Sequence, residues 1–348
     1  MAKGFNAGTL VFTENGFVPI ENVKIGDRVL THKRRFKPVL GVNVTEGPTI
    51  QIKSSATYDV YAGEEQEIYI SSFNRVWANY KRSWDRIFSD FYWVPTRDLV
   101  TTTNFVISTT AEHNIEEKGD NIFWKFVGRY TGDGWYRHDK RKGRKNSYMY
   151  YVIICCAKDE RNELIDLFNA LGYHYNITEK RTVLQFRITR QELWEKISLI
   201  GSGAFNKIIH PWLWNESREH QRAYIQGYYD SDGHYEESRN VYNISSVSKK
   251  AIYGVKQLVS EVEPVAVPQI TCCHRPPTCI IEGRVVNQRD SLTVRWKTDL
   301  RKQDHNFQRD NYLYQQIRKL IPSDNKQLYS LQVKDDESYT VDTIIVRS

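Results

Sequence analysis

Short alternating apolar and polar runs, broken by Gly and Asn turns, fill the first 112 residues. Residues 9–13, 17–20, 25–30, 49–53 and 67–71 read as strands, and an aromatic-rich segment continues to Val94. Such runs between turn residues predict an all-β region. From residue 113 the pattern changes and then repeats. Residues 148–155 read as a strand. Residues 159–171 read as a helix, with Leu164, Leu167, Phe168 and Leu171 at helical spacing and Gly172 as its stop. Residues 183–189 read as a strand. The same order returns with a strand at 240–247, a helix at 248–262 and a strand at 291–297. The second helix carries Ile252, Val255, Leu258, Val259 and Val262 on one face. Residues 184–188 and 292–296 share one alternation, with Arg187 and Arg295 on the polar side. A duplicated unit of this kind predicts pseudo-two-fold symmetry. The tail, 325–348, is β-like again but too short to fold alone. It is expected to return to the N-terminal β region, leaving 113–324 as an insertion with its ends close together.

Each half of the insertion opens on the same signature. The first is Phe126-Val127-Gly128-Arg129-Tyr130-Thr131-Gly132-Asp133-Gly134. The second is Ile225-Gln226-Gly227-Tyr228-Tyr229-Asp230-Ser231-Asp232-Gly233. Gly128 and Gly132 are four apart, as are Gly227 and Ser231, so each pair shares a helix face. Small residues on one face let two helix backbones approach closely. If the two helices pack together, Asp133 and Asp232 emerge side by side at their ends, with Gly134 and Gly233 as stops. Adjacent carboxylates repel unless a cation lies between them, which points to a divalent-metal site.

Composition changes this picture in three places. The net charge of +7 is modest, but residues 137–145 carry six Lys and Arg against one acid, Asp139. A basic run beside a metal carboxylate favours phosphate contact. The five cysteines, Cys155, Cys156, Cys272, Cys273 and Cys279, are an odd count with two adjacent pairs and make a poor disulfide framework. Buried thiols in a reducing compartment are the expectation. Cys272, Cys273, His274 and Cys279 match no common zinc spacing. Finally, no apolar stretch is long enough to span a membrane and no secretory signal opens the chain. A cytoplasmic protein is therefore expected.

The paired Asp-Gly segments resemble the LAGLIDADG homing endonucleases, the second copy more closely than the first. The resemblance implies a pseudo-symmetric α+β domain at 113–324, with repeats at about 113–215 and 216–324. It also implies metal-dependent double-strand cleavage of a long duplex DNA site by a monomer with no protein partner. Asp133 and Asp232 would bind Mg²⁺, with Mn²⁺ able to substitute, helped by backbone carbonyls at Gly132 and Ser231. Lys207, in Lys207-Ile208-Ile209-His210-Pro211, matches the block where the family carries a catalytic lysine. Lys302 is its expected mate, with Lys297 and Lys319 as rivals. Gln185, Arg187, Thr293 and Arg295 would read base edges. Arg137, Lys140, Arg141, Lys142, Arg144 and Lys145 would hold phosphates.

A second resemblance covers the ends. Ala7-Gly8-Thr9-Leu10-Val11, with Gly16, Ile20 and Ile25-Gly26-Asp27-Arg28-Val29, is similar to the N-terminal block of inteins. Residues 328–346 are similar to their C-terminal blocks. The fold class expected is mixed α/β, an all-β Hint domain (1–112 and 325–348) split by the endonuclease unit. The splicing groups are missing. Family spacing puts the first nucleophile at about Gly4, the Thr-x-x-His imidazole at Arg75 and the terminal His-Asn at Arg347 and Ser348. A guanidinium stays protonated and cannot serve as a base. The expectation is a free-standing, splicing-inactive endonuclease descended from an intein. The rivals are an intein disabled by design, a DNA- or RNA-binding relic without cleavage, and an autoprocessing domain.

Overall fold

The computed structural model describes residues 2–54, 56–80, 82–141, 147–263, 267–281, 283–298 and 306–348. The chain divides into two compact units. The first comprises residues 1–113, 263–271 and 296–348, the second 114–262 and 272–295.

The first unit is β, as its alternating pattern requires. Among the described residues its main sheet has 14 strands. Two long antiparallel strands, Phe36–Ser54 and Tyr312–Val333, pair along their length. Register shifts interrupt them between Ile317 and Lys319, between Ser323 and Lys326 and between Gln332 and Val333. The tail enters the same sheet, with Ser338–Val341 against Ile344–Arg347 and Val346 opposite Ile68. Phe5, Val11, Ile52, Ile68, Leu331, Val341 and Ile344 belong to its buried core. The expected boundary at 324/325 falls inside Tyr312–Val333. That strand also pairs with Asn104–Thr109 of the first unit, so the chain rejoins the β unit well before residue 325.

The second unit carries five α-helices among the described residues: α1 (Asn121–Asp133), α2 (Arg161–Leu171), α3 (Gln191–Ser198), α4 (Arg218–Asp232) and α5 (Lys249–Val262). Side-chain caps start α1 and α4, where Asp120 accepts from the Phe123 N–H and Ser217 from the His220 N–H. Gly172 ends α2 at φ +77°, the left-handed stop its sequence predicts. Each half has one four-stranded sheet, and both sheets have the same order. The first runs Gly134–Lys140, Tyr148–Ala157, Val183–Thr189, Tyr175–Glu179. The second runs Gly233–Glu236, Val241–Ser246, Ser291–Trp296, Gln269–Cys273. The halves differ between their last two strands. The first needs only a short turn there; the second inserts a hairpin, Thr278–Ile281 paired with Arg284–Asn287.

Candidate active site at the paired helix ends

The i, i+4 glycines place α1 against α4. A Cβ on Gly128 would run into the Tyr224 carbonyl, and one on Gly227 into the Lys125 carbonyl. Each helix thus rests on the backbone of the other through the residue that lacks a side chain. One turn later, a Cβ on Gly132 would run into the Ser231 side chain. Tyr224 Oη donates to Thr131 Oγ1 at 3.0 Å across the pair. Both helices end on their aspartates. Gly134 and Gly233 are extended, at φ −100° and −87°, rather than left-handed. Glycine is required there for a different reason. A Cβ there would strike the ring of the tyrosine four residues earlier, Tyr130 or Tyr229.

Asp133 and Asp232 therefore emerge together, as the spacing predicts. Burial pushes the Asp133 carboxyl above its usual range, partly offset by Arg129. Asp232 is pushed further, to about 6, by desolvation first and by Asp133 second. Its outer side is nonetheless exposed to solvent. Two crowded carboxylates reachable from water fit a divalent cation in charge and in donor chemistry.

Lys207 lies beneath them, 5% exposed. Its Nζ donates to the Gly132 carbonyl at 2.9 Å and to the Tyr130 carbonyl at 3.2 Å. Burial lowers its pKa to about 8, against the pull of Asp232 and Asp133. Two of the expected site residues meet here. The Gly132 carbonyl, expected to bind metal, is already engaged by Lys207. Lys207, expected as a catalytic residue, is buried against the end of α1, whose carbonyls it caps. Ser231 directs its hydroxyl to the Tyr228 carbonyl at 2.9 Å.

Sequence reasoning overlooked Arg129. It is 1% exposed, inside the first motif. It pairs with Glu160 at 2.9 Å and approaches Asp133 at 3.7 Å. It also donates to the Asp230 carbonyl of α4. A charged residue at an otherwise apolar helix position was the available signal. His210, which follows Lys207 in the same block, has a structural role. Its Nδ1 accepts from the Trp212 N–H, its other nitrogen faces the Lys196 carbonyl, and burial lowers its pKa to about 4.

The expected base readers lie on strands, with their neighbours in the core. Leu184, Phe186 and Ile188 are buried while Gln185 and Arg187 are half-buried. Arg187 and Arg137 both lie over the Tyr151 ring, at 5.4 and 5.0 Å. Arg295 is instead tied to Glu236 at 2.7 Å and Asn243 at 2.9 Å, and Thr293 bonds Ser245 at 2.7 Å. Lys140 and Arg141 are exposed. Lys142, Arg144, Lys145 and Lys302 lie outside the described residues. Of the rivals to Lys302, Lys319 lies on Tyr312–Val333 opposite Lys53, in the β unit. The cysteines divide. Cys156 is buried, but Cys272 and Cys279 are only partly covered and Cys273 is exposed, contrary to the expectation of buried thiols.

In the β unit, the residue before Gly4 reaches Ser348, which follows Arg347. Lys3 Nζ donates to the Ser348 carbonyl at 2.7 Å. Arg347 faces Glu67 at 3.3 Å. Arg75 is exposed on a hairpin, opposite Arg86. Residues 62–65 are among those that meet the N-terminal residues. The Gly63 N–H donates to the Gly4 carbonyl at 2.9 Å, and Gln66 Nε2 donates to the Arg347 carbonyl at 2.8 Å. Gln66 is fully buried.

The family model described as a LAGLIDADG-like domain matches residues 219–292. The match runs from the first turn of α4 into the last strand of the second half. The second half is thus similar to a LAGLIDADG-like domain. The chain is 23% identical over 238 residues to the ATP-dependent Clp protease proteolytic subunit of Chlamydomonas moewusii, covering 60% of this chain and 23% of that protein. It is 26% identical over 149 residues to the DNA-directed RNA polymerase subunit Rpo1C of Methanocaldococcus jannaschii, covering 41% of this chain and 16% of that protein. The chain thus spans less than a quarter of the length of these curated relatives. Among solved structures, it is similar to the homing endonuclease I-DmoI in complex with DNA and manganese, with 16% identity, TM-score 0.36, and 51% of this chain and 89% of that chain covered. It is also similar to the LAGLIDADG homing endonuclease I-SmaMI bound to cleaved DNA, with 14% identity, TM-score 0.32, and 53% and 79% covered. Among the described residues, no helix is long and apolar enough to cross a membrane.

Proposed function

We propose that the chain is a site-specific, metal-dependent double-strand DNA endonuclease that acts as a monomer and does not splice. The observation that carries this reading is the pair of carboxylates at the ends of two glycine-packed helices, over one buried lysine. The match of residues 219–292 to a LAGLIDADG-like domain supports it.

Asp133 and Asp232 would hold Mg²⁺ or Mn²⁺. Bound there, the ion would supply an activated water and charge stabilisation at the leaving oxygen. The protein's own contribution is positional. The helix contact fixes the two carboxylates side by side, and Lys207 keeps the end of α1 in place. Its charge also limits the repulsion between the carboxylates before metal arrives. Arg187 and Arg137, stacked on Tyr151, and Gln185 would face the duplex from the first half. Thr293 and Arg295 would do so from the second, with Arg295 leaving Glu236 to engage a base.

The loss of splicing rests on the N-terminal residues. Gly4 has φ +118°, and a Cβ there would run into the Tyr329 carbonyl. A Cys or Ser nucleophile would not fit at this position without moving that strand. Arg75 and Arg347, where the resemblance to inteins would put imidazoles, offer no base.

One observation favours a second reading, a DNA-binding relic without cleavage. Lys207 and Arg129 already place two positive charges beside the aspartates. Plasmid libraries of candidate sites separate the two. Discrete Mg²⁺-dependent double-strand cuts, absent in Asp232→Asn, are expected. Salt-sensitive binding with no cutting in any divalent metal would leave the relic.

A further inference from the structure

The hairpin inserted in the second half has a neck, and its two sides carry metal-binding groups. Cys272 lies at the end of Gln269–Cys273 on the way in, with His274 two residues on. Asp290 lies on the way out, just before Ser291–Trp296. In an extended chain, residues two apart share a face, so Cys272 and His274 point to the same side and Cys273 to the other. Cys272 Sγ lies 3.8 Å from His274 Nδ1, and His274 Nδ1 lies 2.7 Å from Asp290 Oδ2. The ligand atoms of all three fall within 4.8 Å of one another.

The carboxylate is held in place by the backbone. The Arg275 N–H donates to Asp290 Oδ1 at 2.9 Å, which turns Oδ2 toward the ring. The Gln288 N–H donates to the Pro277 carbonyl at 2.7 Å and keeps the two sides of the neck together. The main chain thus presents sulfur, imidazole nitrogen and carboxylate oxygen at one point.

We propose that Cys272, His274 and Asp290 form a second metal site, for Zn²⁺ or a similar transition-metal dication, that staples the neck of this hairpin. Bond lengths of about 2.3 Å to sulfur and about 2.0–2.2 Å to nitrogen and oxygen, arranged tetrahedrally, put sulfur about 3.6 Å from nitrogen and nitrogen about 3.4 Å from oxygen. The observed 3.8 Å and 2.7 Å need sub-ångström adjustments to reach that geometry. The ion would take the place of the hydrogen shared by His274 and Asp290. A thiolate and a carboxylate together offset its charge, and the thiol proton is released on binding. Sulfur ligation selects against Mg²⁺ and Ca²⁺, so this site and the aspartate pair would not compete for one ion. Three protein ligands leave the fourth position to water.

Co²⁺ tests the proposal, because a cobalt–thiolate bond gives a near-ultraviolet charge-transfer band that a carboxylate site cannot give. The full chain, stripped with chelator, is titrated with Co²⁺ and then with Zn²⁺ in competition. The wild type is expected to develop the band and lose it to Zn²⁺. Cys272→Ser is expected to abolish it. His274→Ala and Asp290→Asn are expected to weaken Co²⁺ binding by about tenfold or more, the lower limit set by outer-sphere partners. Cys279→Ser, Cys273→Ser and Asp232→Asn are expected to leave it unchanged. Circular dichroism of each metal-free variant checks that the fold persists. A folded wild type with no charge-transfer band, or a band that survives in Cys272→Ser at unchanged affinity, would overturn the proposal.

Discussion

The two halves of the second unit share a backbone plan and differ in charge. α1 and α4 rest on one another through Gly128 and Gly227, reciprocally, and both run into the first strand of a sheet with the same strand order. Yet the residue after the glycine is Arg129 in one half and Tyr228 in the other, each 1% exposed. Asp133 therefore has a buried counter-cation 3.7 Å away on its own helix, whereas desolvation and its neighbour push the Asp232 carboxyl up to about 6. The strand arginines differ likewise. Arg187 stacks on Tyr151, whereas Arg295 is held by Glu236. Symmetric packing can thus carry an asymmetric site. The helix contact fixes where the carboxylates are, and local charge fixes how readily each holds a proton or a cation.

The largest expected effect breaks what the halves share. Gly128→Val and Gly227→Val each put a side chain into the facing helix backbone. Each should destabilise the fold by about 3 kcal/mol or more, in denaturant melts. Next comes the difference itself. Arg129→Leu strips Glu160 and Asp133 of their shared cation and should cost about 2 kcal/mol, less than a fully buried pair because Glu160 is one-third exposed. Tyr228→Phe at the matching position should cost about 1 kcal/mol, the scale of one hydrogen bond.

A smaller effect has the opposite sign. The raised pKa of Asp232 means the folded chain binds its proton more tightly than the unfolded chain does. The stability this lends is fully present below the ordinary carboxylate pKa of about 4 and is lost as the pH rises through 6. Asp232→Asn should therefore stabilise the metal-free chain at pH 7.5, by about 1 kcal/mol after allowance for the solvent reaching this carboxyl. At pH 4 the gain should vanish. The same titration should weaken Mg²⁺ binding below pH 6, read by calorimetry. The smallest effect concerns recognition. Glu236→Gln releases Arg295 and should tighten duplex binding by about threefold, the scale of an exposed ion pair.

Much of this site was legible in the chain because it follows from periodicity. Small residues four apart, followed by Asp-Gly, predict the crossing and the carboxylate pair without any tertiary information. The partners of Lys207 were not legible. Its carbonyl partners belong to the main chain of a helix 75 and 77 residues away, and no side-chain pattern encodes them. Gln66 was missed for a similar reason: a buried glutamine that bonds a distant carbonyl looks like any polar turn residue. The strand Tyr312–Val333 escaped because Pro322 and the polar run around Ser323 to Lys326 break the alternation, and the structure absorbs them as register shifts. The hairpin Thr278–Asn287 has no counterpart in the first half, so the internal repeat gave no guide to it.

The central claim is that one metal-dependent cleavage centre lies at the paired helix ends. Strand-resolved cleavage of a recovered target by wild type, Asp133→Asn and Asp232→Asn tests it most directly. The account predicts that both variants bind the duplex within a few-fold of wild type and cut neither strand. Wild-type cutting of both strands by either variant would contradict it.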